Sequence, residues 1–359
     1  MIAIFAEKIK LSLQIVKNLK ENTSHKLKGA GAYEWWHFDC IDEDNEYSFV
    51  AKFLKGNPFS SKYSNNVKEH LNFPELKKPE MIDYTTLTFS LYFKNRLVYN
   101  ISHDYERNHF KAESYEGEEK IYLEKNFFSF TERENKSFLN INLSSTDLDR
   151  KFKAEFVFNK KNENSVEEDQ VKDQVKDLVK DHNGKHFWLP AASVCEVSGK
   201  FKFYVNFKRM KTEFNGFGYV DHHWGDEALF MNIQNWYWGR VVSNGYSLMF
   251  LNIDYFEKEQ KPFKKLVIYN EGKVVKDLDE FKFEAKSKLS FSSLNFNKDI
   301  VITDEGFKLV CRNKTEIEDG FCVKRYLSDF ELTLDGKKEL SETKGISEFI
   351  FPKRFKKEV

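Results

Sequence analysis

Little in this chain of 359 residues interrupts regular structure. It has 6 prolines and 16 glycines, too few for a collagen-like repeat or a low-complexity disordered chain. Cysteine is sparse as well: Cys40, Cys195, Cys311 and Cys322 are scattered and form no C-x-x-C pair. That spacing suits neither a zinc site nor a dense disulfide frame. Reduced, buried thiols in a cytoplasmic protein are expected, although the sequence leaves one disulfide open. Neither sign of charge is in excess, with 57 Lys+Arg against 57 Asp+Glu. No global field therefore steers the chain to nucleic acid or anionic lipid, and any such role needs a local patch. No apolar run reaches the roughly 18 residues that span a bilayer, and the mean hydropathy is −0.63. Phosphate loops, G-x-G-x-x-G turns and G-x-S-x-G elbows are missing too. The Gly216-x-Gly218 pair lies in a strand pattern rather than before a helix, so no cofactor is expected.

Aromatic rings are what the chain does have. Phe, Tyr and Trp make up 16% of it, with 36 Phe, 16 Tyr and 6 Trp, a composition that suits strands. Period-two or apolar runs recur from Tyr47–Leu54, Thr85–Phe93, Leu97–Ser102, Lys120–Thr131, Ser137–Leu143 and Phe152–Phe158. They resume over Lys200–Phe207, Tyr246–Asp254, Lys265–Tyr269, Phe281–Phe291, Phe307–Cys311 and Val323–Leu334. Many short strands at this spacing predict an all-β sandwich or barrel.

Two segments depart from that rhythm. Ile2, Phe5, Ile9, Leu13 and Val16 fall near helical spacing among lysines, which predicts an N-terminal amphipathic helix over residues 1–28. Such a helix either packs on the body or lies on a membrane surface through residues 1–20. Residues 163–183 repeat Val-Lys-Asp every four residues and read as a polar insertion, a loop or short exposed helix.

A longer repeat organises the rest. Tyr33-Glu-Trp-Trp-His-Phe-Asp39, a polar turn and Tyr47-Ser-Phe have the same plan as Asn235-Trp-Tyr-Trp-Gly-Arg-Val241, a Ser-Asn-Gly turn and Tyr246-Ser-Leu. Gly216-Phe-Gly-Tyr219 and Gly345-Ile-Ser-Glu348 echo one another near the ends. Two related β-domains are expected, 29–228 and 229–359.

The densest reactive cluster is Gly216 to Glu227. In an extended chain Tyr219, Asp221 and His223 share one face, and Val220, His222 and Trp224 the other. Tyr33, Trp35, His37 and Asp39 likewise alternate with Glu34, Trp36 and Phe38. A carboxylate between a phenol and an imidazole, desolvated by rings, can have its pKa raised and serve as an acid. The alternative is structural: His222 and His223 cap loops at a domain junction while Trp224 fills a core. His37, Asp39, Asp221, His222 and His223 lack short metal-ligand spacing, so no metal is expected. Trp188, beside Pro190, reads as a strand end packed on an edge.

Glu34-Trp-Trp-His-Phe-Asp39, His186-Phe-Trp-Leu-Pro190, Gly218-Tyr-Val-Asp-His-His-Trp-Gly225, Trp236-Tyr-Trp-Gly-Arg240 and Gly345-Ile-Ser-Glu348 with Pro352 resemble, in order, one family. It is the carotenoid 1,2-hydratase (hydroxyneurosporene synthase) and AttH-like lipocalin family, which is also similar to fungal Diels–Alderase-type pericyclases. The resemblance implies two tandem lipocalin-like antiparallel β-barrel domains with an apolar cavity in or between them. It further implies a cofactor-independent hydro-lyase that protonates an isoprenoid alkene and captures the cation with water. On that reading Asp221 is the acid, Tyr219, His222 and His223 assist it, and Trp35, Trp36, His37, Trp188, Trp224, Trp236, Trp238 and Arg240 contact the apolar substrate. His37 and His223 depart from the family's frequent Tyr and Asn. A lipid, pigment or quinone carrier, and a pericyclase or isomerase, are the competing readings.

Overall fold

The structure is a computed structural model that describes residues 13–131, 136–144, 151–160, 186–205, 208–243, 245–288 and 296–352. The insertion at 163–183 and most of the apolar N-terminal stretch lie outside these residues. Where the expected helix enters the described residues the chain is a strand, β1 (Leu13–Ile15), paired in parallel with His186–Trp188, followed by a single 3-10 turn at Leu19–Glu21.

The alternating runs become strands. The first sheet is built from β1, β2 (Tyr33–Asp42), β3 (Tyr47–Lys55), β4 (Thr85–Phe93), β5 (Arg96–Tyr105), β6 (Phe110–Tyr115), β7 (Glu118–Leu123), β8 (Asn126–Thr131), β9 (Lys136–Ser144), β10 (Lys151–Lys160), β11 (His186–Val205) and β12 (Lys208–Gly225). Its order is β5-β4-β3-β2-β12-β11-β10-β9-β8-β7-β6, with β1 added on β11. A short helix α2 (Leu229–Asn232) leads into the second sheet. That sheet comprises β13 (Ile233–Ser243), β14 (Tyr246–Tyr255), β15 (Phe263–Asn270), β16 (Lys273–Leu278), β17 (Lys282–Lys288), β18 (Phe296–Asp304), β19 (Phe307–Asp319), β20 (Val323–Leu334) and β21 (Lys337–Ile350), in the order β16-β15-β14-β13-β21-β20-β19-β18-β17. The architecture is all-β, with two lipocalin-like, barrel-like sheets.

Three local features differ from the sequence pattern. The Lys120–Thr131 run is a hairpin, not one strand, because Glu124 turns the chain with φ 59°. A helix, α1 (Ser61–Asn72), follows β3; the Ser60 hydroxyl accepts from the Tyr63 N–H and caps its first turn. Finally, β11 is no edge. It lies between β10 and β12, and Pro190 sits where the register slips between Leu189 and Ala192, a bulge that tolerates its missing N–H.

Alternation sorts the side chains into two cores. The even residues of β2, such as Trp36, Phe38 and Cys40, join Phe49, Phe53, Phe128, Phe156 and Phe158 inside the first sheet. Rings fill that interior, with Phe49 and Phe156 only 4.2 Å apart and Phe89 and Phe152 4.4 Å. The odd residues Tyr33 and Trp35 join a second cluster with Trp188, Tyr219, Trp236 and Trp238 that continues into the second sheet. Both faces of β2 and β12 are therefore buried, one as barrel core and one as the seam between sheets.

The repeat is sharper in register than in sequence. Gly218 lies opposite Cys40 and Asp221 opposite His37; Gly345 lies opposite Val241 and Glu348 opposite Trp238. Hence Gly345 corresponds to Gly218 rather than Gly216, and Glu348 to Asp221. A Cβ on Gly218 would stand 2.5 Å from Val197 Cγ2 and 2.9 Å from the Phe158 ring; one on Gly345 would stand 2.6 Å from the Phe330 ring. Gly218→Ala is expected to destabilise the fold by about 1–3 kcal/mol through overpacking, measured as a lower urea midpoint with unchanged slope.

Candidate active site between the two sheets

Cross-strand register brings the sequence motifs together at the seam. Tyr219, Asp221 and His223 of β12 stand opposite Asp39, His37 and Trp35 of β2, and Trp188 of β11 stands opposite His223. Asp221 is buried at the centre. Its Oδ2 accepts from the Tyr219 hydroxyl at 2.8 Å, His223 Nε2 at 3.0 Å and Trp188 Nε1 at 3.2 Å. Its Oδ1 has no partner.

Rings enclose this carboxyl. His223 stacks on Trp35 at 4.6 Å and lies parallel to Trp188 at 5.9 Å, with Trp236 of the second sheet 5.1 Å away. Trp238 approaches Tyr219 at 5.2 Å and His37 at 5.8 Å. Besides Asp221 Oδ1, both Trp238 Nε1 and His223 Nδ1 are buried without partners. An unsatisfied buried polar group costs about 1–3 kcal/mol, and these three belong to side chains packed in the same seam.

The neighbouring carboxylates are held differently. Asp39 accepts from Arg240 Nε at 2.6 Å and from Nη2, and its Oδ2 bonds His37 Nε2 at 2.8 Å. Glu348 pairs with Lys52 Nζ at 2.9 Å and with Arg325. Among the described residues, no Lys or Arg forms an ion pair with Asp221. Its partners are a phenol, an indole and an imidazole.

The expected rise in the Asp221 pKa is not found. Burial does push it up, but the charge and hydrogen bond of His223, the charge of His37 and the Tyr219 hydroxyl together hold it below the ordinary value. The groups that lower it are two imidazoles and a phenol, not fixed cations. Burial and then the Asp221 charge drive the Tyr219 phenol far up, so it stays protonated and donates to Asp221. Asp39, pushed up by burial, is pulled below its usual range chiefly by Arg240.

Of the residues named from sequence, the seam gathers Trp35, His37, Trp188, Tyr219, Asp221, His223, Trp236, Trp238 and Arg240. Trp36, His222 and Trp224 lie on the opposite face and point into the first sheet. There His222 stacks on Trp36 at 4.5 Å, Trp224 stacks on His25 at 4.2 Å, and Glu34 accepts from Lys55 Nζ at 2.6 Å. Burial lowers the His222 pKa to about 4 despite Glu34. Ligand atoms of His25, Glu34 and His222 lie within 4.8 Å of one another. This is the group best arranged for a metal among the described residues, but the Lys55 ammonium already supplies the cation Glu34 needs.

Sequence reading missed Glu34–Lys55, Lys52–Glu348 and Tyr33–His186, whose Oη and Nδ1 are 2.9 Å apart. A signal existed for the first: the Asp42–Tyr47 turn fixes the hairpin register that sets Glu34 opposite Lys55.

Comparison with known proteins decides the family. The chain matches the carotenoid hydratase CrtC family over residues 161–358, more than half its length. It belongs to that family. This CrtC-family protein is therefore an enzyme of the hydratase type. It is also 25% identical over 348 residues to the hydroxyneurosporene dehydrogenase of Chlorobaculum tepidum, covering 95% of this chain and 88% of the relative. Its fold resembles that of CghA crystallised with Sch210972 (TM-score 0.63, 10% identity, 92% of this chain and 94% of that one). It likewise resembles an AttH protein from Nitrosomonas europaea (TM-score 0.56, 12% identity, 94% and 97%). These two likenesses speak to the lipocalin-like fold alone.

In this family member the Asp39–Arg240 pair ties the sheets together. Arg240→Met is expected to cost about 3–5 kcal/mol by stranding a buried carboxylate, and Asp39→Leu/Arg240→Met should recover much of that loss. Urea unfolding of the two variants checks this; equal losses would contradict it.

Proposed function

We propose that the protein adds water across a terminal double bond of an acyclic isoprenoid, without a cofactor, using Asp221 as the acid. The observation that supports this is the asymmetry of the Asp221 carboxyl: three donors on Oδ2, none on Oδ1. Donors on one oxygen give it carbonyl character and leave the other to carry the proton.

The chemistry then balances simply. The Oδ1 proton adds to the less substituted carbon of the terminal double bond, the π pair forms the new C–H bond, the O–H pair stays on the carboxylate, and a tertiary cation remains beside Trp35, Trp236 and Trp238. Each ring face stabilises such a cation by about 0.5–2 kcal/mol. Water attacks the cation, and the proton it sheds returns to Asp221, so the net change is one added water. Trp238 Nε1–H and His223 Nδ1 are the groups available to orient that water. Burial already desolvates Asp221 and pushes its pKa up, and an apolar chain at Oδ1 excludes polar partners that would favour the ionised form. The filled interior of the first sheet supports a site at the seam rather than within that barrel.

The direct test is Asp221→Asn, which keeps the hydrogen bonds on one oxygen and cannot deliver a proton. Turnover of an acyclic carotenoid, followed by mass spectrometry as gain of one water, should disappear while ligand binding persists. Retained turnover removes Asp221 from the mechanism. Unaltered ligand with the wild-type protein would favour a carrier, and an isomer of equal mass a pericyclase or isomerase.

A pH profile tests the electrostatics. Because His223 lowers the Asp221 pKa, wild-type kcat/KM should fall as pH rises and the acid form is lost. His223→Gln removes the lowering charge, so the alkaline limb should move to higher pH. A shift to lower pH would contradict the assignment.

A further inference from the structure

The surface around the end of α1 supports an inference about how an apolar substrate reaches the seam. Tyr63 and Val67 form the buried stripe of α1 and belong to the same apolar cluster as Trp35 and Trp236. One turn further on, the stripe runs out of the protein. Leu71 is 42% exposed, followed by Phe73 at 54% and Leu76 at 46%. Three of the ten exposed large apolar side chains among the described residues thus fall within six consecutive positions. Met231 of α2 is exposed too, and its neighbour Phe230 lies 5.8 Å beneath Lys68 Nζ.

Charge around the patch has a sign, although the whole chain is neutral. Lys62, Lys68, Lys77 and Lys78 stand against Glu69 and Glu75. The other two carboxylates of this stretch, Glu80 and Asp83, are both engaged by Arg107, at 2.9 and 2.7 Å. One exposed ring and two exposed leucines near these lysines match the boundary between lipid tails and anionic headgroups. Beneath α1, in the apolar cluster that Tyr63 and Val67 join, Phe59 packs on Trp35 at 5.4 Å, and Trp35 on Trp236 at 6.1 Å.

We propose that Leu71, Phe73 and Leu76, with the surrounding lysines, form a docking surface for a lipid bilayer. It places the end of α1 at the surface of the phase in which an apolar substrate is dissolved. This rests on the apolar-substrate reading for its purpose, but vesicle binding can be measured with no substrate present.

Sedimentation with phosphatidylcholine vesicles, with and without phosphatidylglycerol, tests it on the full chain. The protein should bind both and prefer the anionic vesicles. Leu71→Ser/Phe73→Ser/Leu76→Ser should lower partitioning at least about tenfold on either vesicle. Lys62→Gln/Lys68→Gln/Lys77→Gln/Lys78→Gln should lose about tenfold on anionic vesicles only, and it keeps the test decisive should the apolar variant misfold. Turnover of detergent-dispersed substrate should survive in both variants, while turnover of vesicle-embedded substrate falls. Wild-type protein that ignores vesicles overturns the proposal. So does binding that withstands both sets of substitutions yet vanishes on deletion of residues 1–12, which would assign the contact to the N-terminal segment.

Discussion

The seam between the sheets is closed by buried charge, and how each charge is neutralised determines what the rest of the protein can do. Asp39 meets Arg240 across the seam, and Lys52 meets Glu348. Both pairs are desolvated, so each partner needs the other; removing either strands an ion in a medium that cannot solvate it. They fix the relative position of β2, β3, β13 and β21, and with it the ring pairs Trp35–Trp236 and Tyr219–Trp238. Fixed cations hold these two carboxylates permanently ionised. Asp221, among the same strands, is left with neutral and titratable partners. Of the three acids, Asp221 is the one that no fixed cation holds, which is why the proposed mechanism assigns the proton to it.

The internal repeat explains why such a seam exists. The face of each hairpin that looks away from its own barrel carries equivalent positions, Asp39 with Arg240 and Asp221 with Glu348. Packing the two faces together sets one repeat's acid against the other's base, while the second acid of each repeat has taken a different role. Glu348 became a structural anion between Lys52 and Arg325. Asp221 kept an unpaired oxygen. The glycine three residues before each lets other side chains approach the backbone closely, Val197 and the Phe158 ring at Gly218 and the Phe330 ring at Gly345.

The all-β character and the two repeats were legible because alternation and the hairpin plan are local properties. The face sharing of Tyr219, Asp221 and His223 was legible for the same reason. What alternation could not reveal was that both faces of β2 and β12 are buried. Trp36, His222 and Trp224 therefore looked like site residues when they belong to the barrel interior. The direction of the Asp221 pKa was missed because burial and His223 act in opposition, and their balance depends on how closely the fold brings His223 to the carboxyl. The helix α1 went unread because its stripe is short and its last member, Leu71, faces solvent. Pro190 suggested an edge, since a bulge inside a central strand leaves no mark in composition.

The most direct test of the central claim follows hydrogen and oxygen during turnover of an acyclic carotenoid. In heavy water, the alcohol product should carry one carbon-bound deuterium that survives return to ordinary water, and in oxygen-labelled water its hydroxyl should carry the label. Both labels should be lost together in Asp221→Asn. Product that forms with no carbon-bound deuterium, or labelled product from Asp221→Asn at the wild-type rate, would contradict protonation by Asp221.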